Sequence, residues 1–389
     1  MIKRQLSKEI LTLSGEFPAV AILGPRQSGK TTLAKNLFKG YTYVSFEDPD
    51  MRQLATDDPR SFLSRFSNKI IFDEIQRVPD LFSYLQSTID QRKDTGRFIL
   101  TGSQNYLLME NISQSLAGRI GIATLLPFSS TELRNSRKFS LTLEDYIITG
   151  GYPWIYDQNI RPQAFYQSYL NTYLEKDIRT LKNIVHFDKF LTFLKVLAGR
   201  TGQVLNTFSI AEDCDTSHNT VREWLSILET SYIILRLHPY HKSYNKRLIK
   251  HPKIYFFDTG LACHLLGIHS KEHFLTHYHK GPIFETFVLS ELYKHTYNHA
   301  FSYQFYFWRD NHRKKIDLII ENGTRTRVAE IKSAKTFQER YLQQIHYWGK
   351  LTNTPLKHAY LILGADESFA FRETSVIGWK NMSTLLENW

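Results

Sequence analysis

The chain has 389 residues, 42% hydrophobic and 14% aromatic, with 49 lysines and arginines against 38 acids and a formal net charge of +11. That length exceeds one ordinary core and predicts two or three domains, while the charge favours polyanionic partners such as DNA. The absence of any run of ~18 uncharged apolar residues excludes a membrane-spanning helix. The basic N-terminus has no apolar segment after it, so no secretory leader is expected. Cys214 and Cys263 have no metal-ligand spacing and read as free thiols of a reducing, cytoplasmic compartment.

The apolar run Ala19 to Leu23 reads as a buried strand. It runs into Gly24-Pro25-Arg26-Gln27-Ser28-Gly29-Lys30-Thr31, which matches G-x-x-x-x-G-K-[ST]. A helix follows, beginning at Lys30-Thr31-Thr32, with Leu33 and Leu37 four apart. Strand, glycine loop and helix form the context in which this motif cradles the phosphates of ATP. Lys30 supplies a point charge to the outer phosphates, and Thr31 a hydroxyl for Mg²⁺. A second strand, "KIIFDEIQ", ends in Asp73 and Glu74. Asp73 is expected to hold Mg²⁺ directly or through water, and Glu74 to orient or deprotonate the attacking water. A third strand, "GRFILTGSQ", ends near Thr101 and Ser103, where a polar side chain senses the γ-phosphate. Arg119, in "SLAGRI", reads as an arginine finger acting in cis, as a finger on the nucleotide of a neighbouring subunit in a homo-oligomer, or as a structural ion pair.

GPRQSGKTT, IIFDEIQ, LTGSQ and SLAGRI, with "LPFSSTEL" and "TGGYPWIY" after them, resemble a family of bacterial and archaeal AAA-type ATPases. That family carries a C-terminal region long described as of unknown function. The resemblance extends over essentially the whole chain. It implies a nucleotide-binding α/β domain, then a winged helix, then a nuclease-like fold.

From about residue 156 the texture becomes helical. Phe165, Tyr169 and Tyr173 have the spacing of a packing helix, and "EKDIR" close by resembles a family signature without an assignable role. "FDKFLTFLKVLAGRTGQVLN" reads as the first helix of a new unit. Ser209 and Glu212 are expected to form a capping box on a short second helix. Ser217 is expected to cap a longer one, with Val221, Trp224, Leu225 and Leu228 as its apolar stripe. This is helix-turn-helix organisation, with His218, Asn219 and Arg222 placed for phosphates or base edges. Two strands joined by a basic wing follow, bearing Lys242, Lys246, Arg247 and Lys250. A linking or dimerising scaffold is the competing reading.

"KIDLIIENGTRTRVAEIKSAK" reads as a β-hairpin turning at Asn322-Gly323. With that turn Ile320 faces Arg325 and Asp317 faces Val328, so Asp317 and Glu330 are diagonal neighbours on one face. Their carboxylates can then converge on one divalent ion, with Lys332 one pleat further to position a nucleophile or steady a charged transition state. The solvated salt-bridge face of an edge strand is the competing reading. In family terms Asp317…Glu330-Ile331-Lys332 is similar to the D…(D/E)xK core of restriction-type nucleases. The resemblance implies a helix-borne carboxylate as well, Glu285 or its competitor Glu291, and places Arg309, Arg313 and Lys314 near substrate phosphates.

The expected architecture is therefore α/β in three units. An AAA-type P-loop NTPase domain with a parallel sheet spans 1–155, a winged-helix unit 156–270, and a restriction-endonuclease-like α/β domain 271–389. The expected function is ATP hydrolysis coupled to action on DNA, with Mg²⁺-dependent endonuclease capacity. The alternative is a non-cleaving, ATP-switched DNA-binding or regulatory protein whose nuclease-like domain is inactive.

Overall fold

The structure, a computed structural model, describes residues 2–66, 68–92, 94–103, 105–174, 187–241, 251–310, 312, 314–352, 355–387 and 389. "EKDIR", the basic wing residues Lys242, Lys246, Arg247 and Lys250, and Arg313 lie outside the described residues.

The front of the chain builds a five-stranded parallel sheet from β1 (Ala19–Leu23), β2 (Thr42–Ser45), β3 (Ile70–Asp73), β4 (Phe98–Thr101) and β5 (Ile120–Thr124). Its order is β2-β3-β4-β1-β5. The three inner strands β3, β4 and β1 are covered on both faces and fully buried, so they do not alternate, while the edge strand β2 is more exposed. Ala19, Ala21 and Leu23 pack into one core with Phe72 and Phe98, while Val20 and Ile22 pack into another with Leu33 and Ile99. Because β4 lies between β1 and β3, the P-loop, Asp73 and Thr101 all emerge at the same carboxyl edge. That crevice is where open α/β sheets bind ligands.

The middle region contains the helices Pro162–Ser168, which buries Phe165 in the core of this region, Phe187–Gly199, Thr207–Asp213 and His218–Thr230. The strands β6 (Ile234–Pro239) and β7 (Lys253–Phe256) follow as an antiparallel pair. Val221, Trp224, Leu225 and Leu228 are buried in the core of this region. Ser217 caps its helix, accepting from the Thr220 amide at 3.0 Å. The capping box expected at Ser209 and Glu212 does not form. Asn206 caps that helix instead, accepting from the Ser209 amide at 3.2 Å. The Ser209 hydroxyl accepts from Arg200 at 2.8 Å. Asn206 lies three residues earlier and has the same short polar reach, so the cap went to the residue whose backbone is still extended.

The last third supplies β8 (Gln304–Arg309), β9 (Lys315–Asn322), β10 (Arg325–Lys332), β11 (Ala359–Leu363), β12 (Phe369–Phe371) and β13 (Thr374–Gly378). They join β6 and β7 in one eight-stranded sheet ordered β12-β13-β11-β10-β9-β8-β6-β7. The middle hairpin is thus continuous with the C-terminal sheet through parallel pairing of β6 with β8. The helix Lys280–Asn298 crosses one face, and the helix Gln343–Thr352 packs on β9 and β10. One hydrophobic core contains Leu126, Phe128 and Leu133 from the front of the chain beside Phe287, Ile331 and Trp379 from its end. The front and the end of the chain therefore bury apolar surface against each other.

Candidate functional site

Gly24 and Gly29 bracket the P-loop with positive φ values of 135° and 92°. A Cβ on Gly24 would lie 2.1 Å from the Leu125 carbonyl oxygen, so the loop requires glycine there for space as well as conformation. Lys30 opens its helix with its ammonium folded back on the loop, donating to the carbonyls of Gly24 and Pro25 at 2.8 Å each. The Thr31 hydroxyl donates to both oxygens of Asp73 at 3.1 Å. Asp73 is buried and also accepts from Thr101 and, at 2.8 Å, from Tyr43. A hydroxyl and a carboxylate brought together are hard oxygen donors, which suit Mg²⁺. Glu74, in the left-handed conformation at φ 55°, leaves the end of β3 toward the same crevice. Its carboxylate accepts from Ser103 at 2.8 Å and from Gln76 at 2.6 Å.

Gly29, Lys30, Thr31, Glu74 and Ser103 line a cleft of about 780 Å³ with Arg26, Gln27 and Thr32, and Asp73 is bonded to the cleft through Thr31. The segment after the sheet contributes Lys138, Phe139, Pro153 and Trp154 to the same lining. The sequence reading missed Arg4, which also lines the cleft. Its guanidinium is buried, stacks 4.6 Å from the Phe128 ring, and donates to the Ser28 carbonyl at 2.9 Å and to Glu132 at 3.1 Å. Nothing local marks it, because its partners lie 24 to 128 residues away.

Arg119 is a correction to the cis reading. It precedes β5, at the amino edge of the sheet, while the P-loop leaves the carboxyl edge of neighbouring β1. A five-residue strand separates the two by roughly 16 Å. Its guanidinium is paired with Asp90 at 2.6 and 3.0 Å.

In the C-terminal sheet the hairpin turns one residue later than expected, at Gly323-Thr324, and Asn322 pairs with Arg325. Gly323 has φ 59°, the positive value that a type II′ turn needs at its first central position. The register therefore moves by two residues. Being even, the shift brings Asp317 opposite Glu330 rather than diagonal to it. Regular pairing stops at Leu318–Ala329, and a bulge disturbs β8–β9 between Tyr306 and Trp308. Beyond that point the Asp317 carboxylate takes the Ile331 amide at 3.2 Å, a donor the ladder would otherwise use. Bulges re-aim side chains in this way beside functional sites.

Both carboxylates are almost fully buried, at 1% exposure each. Lys332 joins them, donating to Glu330 at 2.7 Å and to Asp317 at 3.4 Å, and Lys315 reaches Asp317 at 2.9 Å. Burial would raise the Asp317 carboxyl, but Lys332 and Lys315 hold it well below the usual range. Burial and then the Asp317 charge push Glu330 up, and Lys332 is raised by the two acids against its own burial. One Glu330 oxygen is buried with no hydrogen-bond donor, which fits a proton or a metal ion at that point. Glu285 does not complete the pair. Lys253 at 2.9 Å and Tyr255 take its carboxylate. Among the described residues no three acid, histidine or cysteine side chains are grouped to hold a metal. Glu291 is remote from the pair and binds Ser130, Tyr146 and Lys294.

Three family models match in succession: an AAA domain over residues 16–134, a domain of unknown function (DUF8612) over 140–272, and a domain of unknown function (DUF4143) over 280–382. An uncharacterized protein of Mycobacterium tuberculosis is 32% identical over 324 residues, covering 82% of this chain and 71% of that one. An uncharacterized protein of Methanocaldococcus jannaschii is 25% identical over 304 residues, covering 70% and 65%. Among solved structures, a Walker-type ATPase of Pyrococcus abyssi superposes with a TM-score of 0.45 at 14% identity, over 68% of this chain and 96% of that one. No helix among the described residues is long and apolar enough to cross a membrane.

Proposed function

Since the chain belongs to the family of that uncharacterized mycobacterial protein and carries an AAA-type ATPase domain, we propose that it hydrolyses ATP and couples the cycle to DNA, whose backbone it cuts at the Asp317–Glu330 pair. The observation that carries the ATPase reading is one cleft lined by Lys30, Thr31 and Glu74, with Asp73 bonded to Thr31 beside it. Lys30 exchanges the Gly24 and Pro25 carbonyls for phosphate oxygens. Glu74, held by Gln76 and Ser103, orients the attacking water and takes its proton. The Ser103 hydroxyl turns from Glu74 toward the γ-phosphate, so it reports which nucleotide is bound. Thr31 and Asp73 are the residues that would hold Mg²⁺, which neutralises charge on the outer phosphates.

DNA as the partner is supported by the +11 net charge and by Asn219 and Arg222, exposed on the helix His218–Thr230. Cleavage is supported by the convergence of two buried acids on Lys332 and by the orphaned Glu330 oxygen. Asp317 and Glu330 would hold a second Mg²⁺, whose chemistry is activation of water for phosphodiester attack. Lys332 offsets the charge that builds on the phosphate.

The test incubates wild type, Lys30→Ala and Glu330→Ala with plasmid DNA, ATP and Mg²⁺ or Mn²⁺, scoring hydrolysed nucleotide and strand breaks separately. Lys30→Ala should lose nucleotide hydrolysis. Glu330→Ala should keep hydrolysis and lose breaks. Wild type that hydrolyses ATP and binds DNA without ever nicking it would leave the non-cleaving, ATP-switched reading in place.

A further inference from the structure

We propose that the cleft contains a base-stacking subsite, and that Trp154 holds the purine ring of the bound nucleotide on its indole face. The inference rests on the ATPase reading and assigns the part of the ligand that the phosphate loop does not touch.

The short helix Pro153–Asp157 starts on a proline, whose fixed φ suits the first helical position. Tyr152 and Ile155, three residues apart, are both buried in the helical core. With those two anchored, Trp154 turns the other way and is 52% exposed. Its surroundings are the nucleotide cleft, whose lining it shares with Lys30, Thr31, Thr32 and Asn36. The preceding residue fixes how close this wall comes: a methyl on Gly29 would meet Pro153 Cγ at 3.8 Å. Trp154 is thus one residue from a direct neighbour of the phosphate loop. Among the described residues, no hydrogen bond or ring contact takes its indole, whereas nearby Tyr156 is engaged by Phe128 and Phe139.

A nucleoside phosphate anchored on Lys30 and Thr31 extends its base away from the loop by the length of a ribose. Thr32 and Asn36, one turn apart on the helix that Lys30 opens, line the same cleft as Trp154. Aromatic stacking suits this position because it is tolerant of exact placement and tightens binding without a hydrogen-bond code.

The experiment separates base from phosphate. Binding of Mg²⁺-ADP and of Mg²⁺-pyrophosphate is measured by calorimetry for wild type, Trp154→Ala and Trp154→Phe in the full chain. Trp154→Ala should weaken ADP by about tenfold, the scale of one stacked base, and leave pyrophosphate unchanged. Trp154→Phe should recover most of the loss. ADP should also change the tryptophan fluorescence of wild type and not of Trp154→Phe. Unchanged ADP affinity in Trp154→Ala overturns the subsite. So does an equal loss of ADP and pyrophosphate, since Trp154 would then prop the loop rather than hold the base. Wild type that binds neither ligand would sink the ATPase reading beneath it.

Discussion

Glu291→Ala should destabilise the protein by about 3–5 kcal/mol, the cost of breaking a buried ion pair from one side. The carboxylate is 7% exposed, and Lys294, three residues on, is 2% exposed. Glu291 accepts from the Ser130 amide at 2.7 Å, the Ser130 hydroxyl at 2.6 Å, the Tyr146 hydroxyl at 2.9 Å and Lys294 at 3.1 Å. Alanine removes the anion and leaves the ammonium with only the Phe128 carbonyl at 3.2 Å and the Tyr146 hydroxyl at 2.9 Å. Glu291→Gln keeps the volume and one acceptor oxygen, so its cost should be smaller, about 1–3 kcal/mol. Replacing both residues, Glu291→Leu with Lys294→Met, removes the stranded charge and should cost less than Glu291→Ala alone. Urea unfolding at pH 7, followed by fluorescence and circular dichroism, gives these differences from the shift in midpoint. A loss below about 1 kcal/mol for Glu291→Ala would refute the reasoning, as would a double variant costing the sum of the two single ones.

Glu74→Gln should retain ATP binding while lowering kcat by about 10²–10⁴-fold, the range for a positioned general base; single-turnover hydrolysis beside equilibrium binding checks it. Arg119→Ala should leave hydrolysis by the isolated chain unchanged, because its partner is Asp90 at the opposite edge of the sheet. A loss confined to concentrations at which the protein self-associates would place it on a neighbour's nucleotide. Burial, and secondarily His299, lower His295 to about 4, against a small opposing effect of Glu291. The unfolded chain therefore takes up a proton that the native one refuses, and stability should fall as pH drops from about 6.5 toward 4. The loss should be on the order of 2 kcal/mol after discounting for partial exposure, and His295→Phe should flatten that part of the pH–stability curve.

The phosphate site was legible because its residues sit in short motifs at strand ends, and parallel order fixes where strand ends meet. The Asp317–Glu330 pair survived a misplaced turn for a different reason. An error of two residues preserves side-chain parity, so the acids still met, although opposite rather than diagonal. The Asp317 bond to the Ile331 amide was not readable, since it depends on where the ladder stops. Arg4, the cleft position of Trp154 and the clamp that Glu291 makes on Ser130 escaped for a common reason, although Glu291 itself is singled out by the sequence as a candidate metal-binding acid. Each owes its place to residues far along the chain, and their own neighbourhoods look like a basic start, an aromatic turn and an ordinary helix. The shared core was hidden likewise, because Phe128 and Phe287 carry no local mark of being neighbours.

The helix Lys280–Asn298 carries Glu285, bound to Lys253 and Tyr255, and six residues later Glu291, clamped on Ser130. Six residues of helix are roughly 9 Å of stiff rod. Whatever displaces Ser130 must either drag that rod along or tear a carboxylate out of its pocket. Among the described residues the front of the chain and the acid-pair sheet share one apolar core and this clamp, so separating the front of the chain from its end would bare Phe128 on one piece and Phe287 on the other, and would leave Glu291 without Ser130.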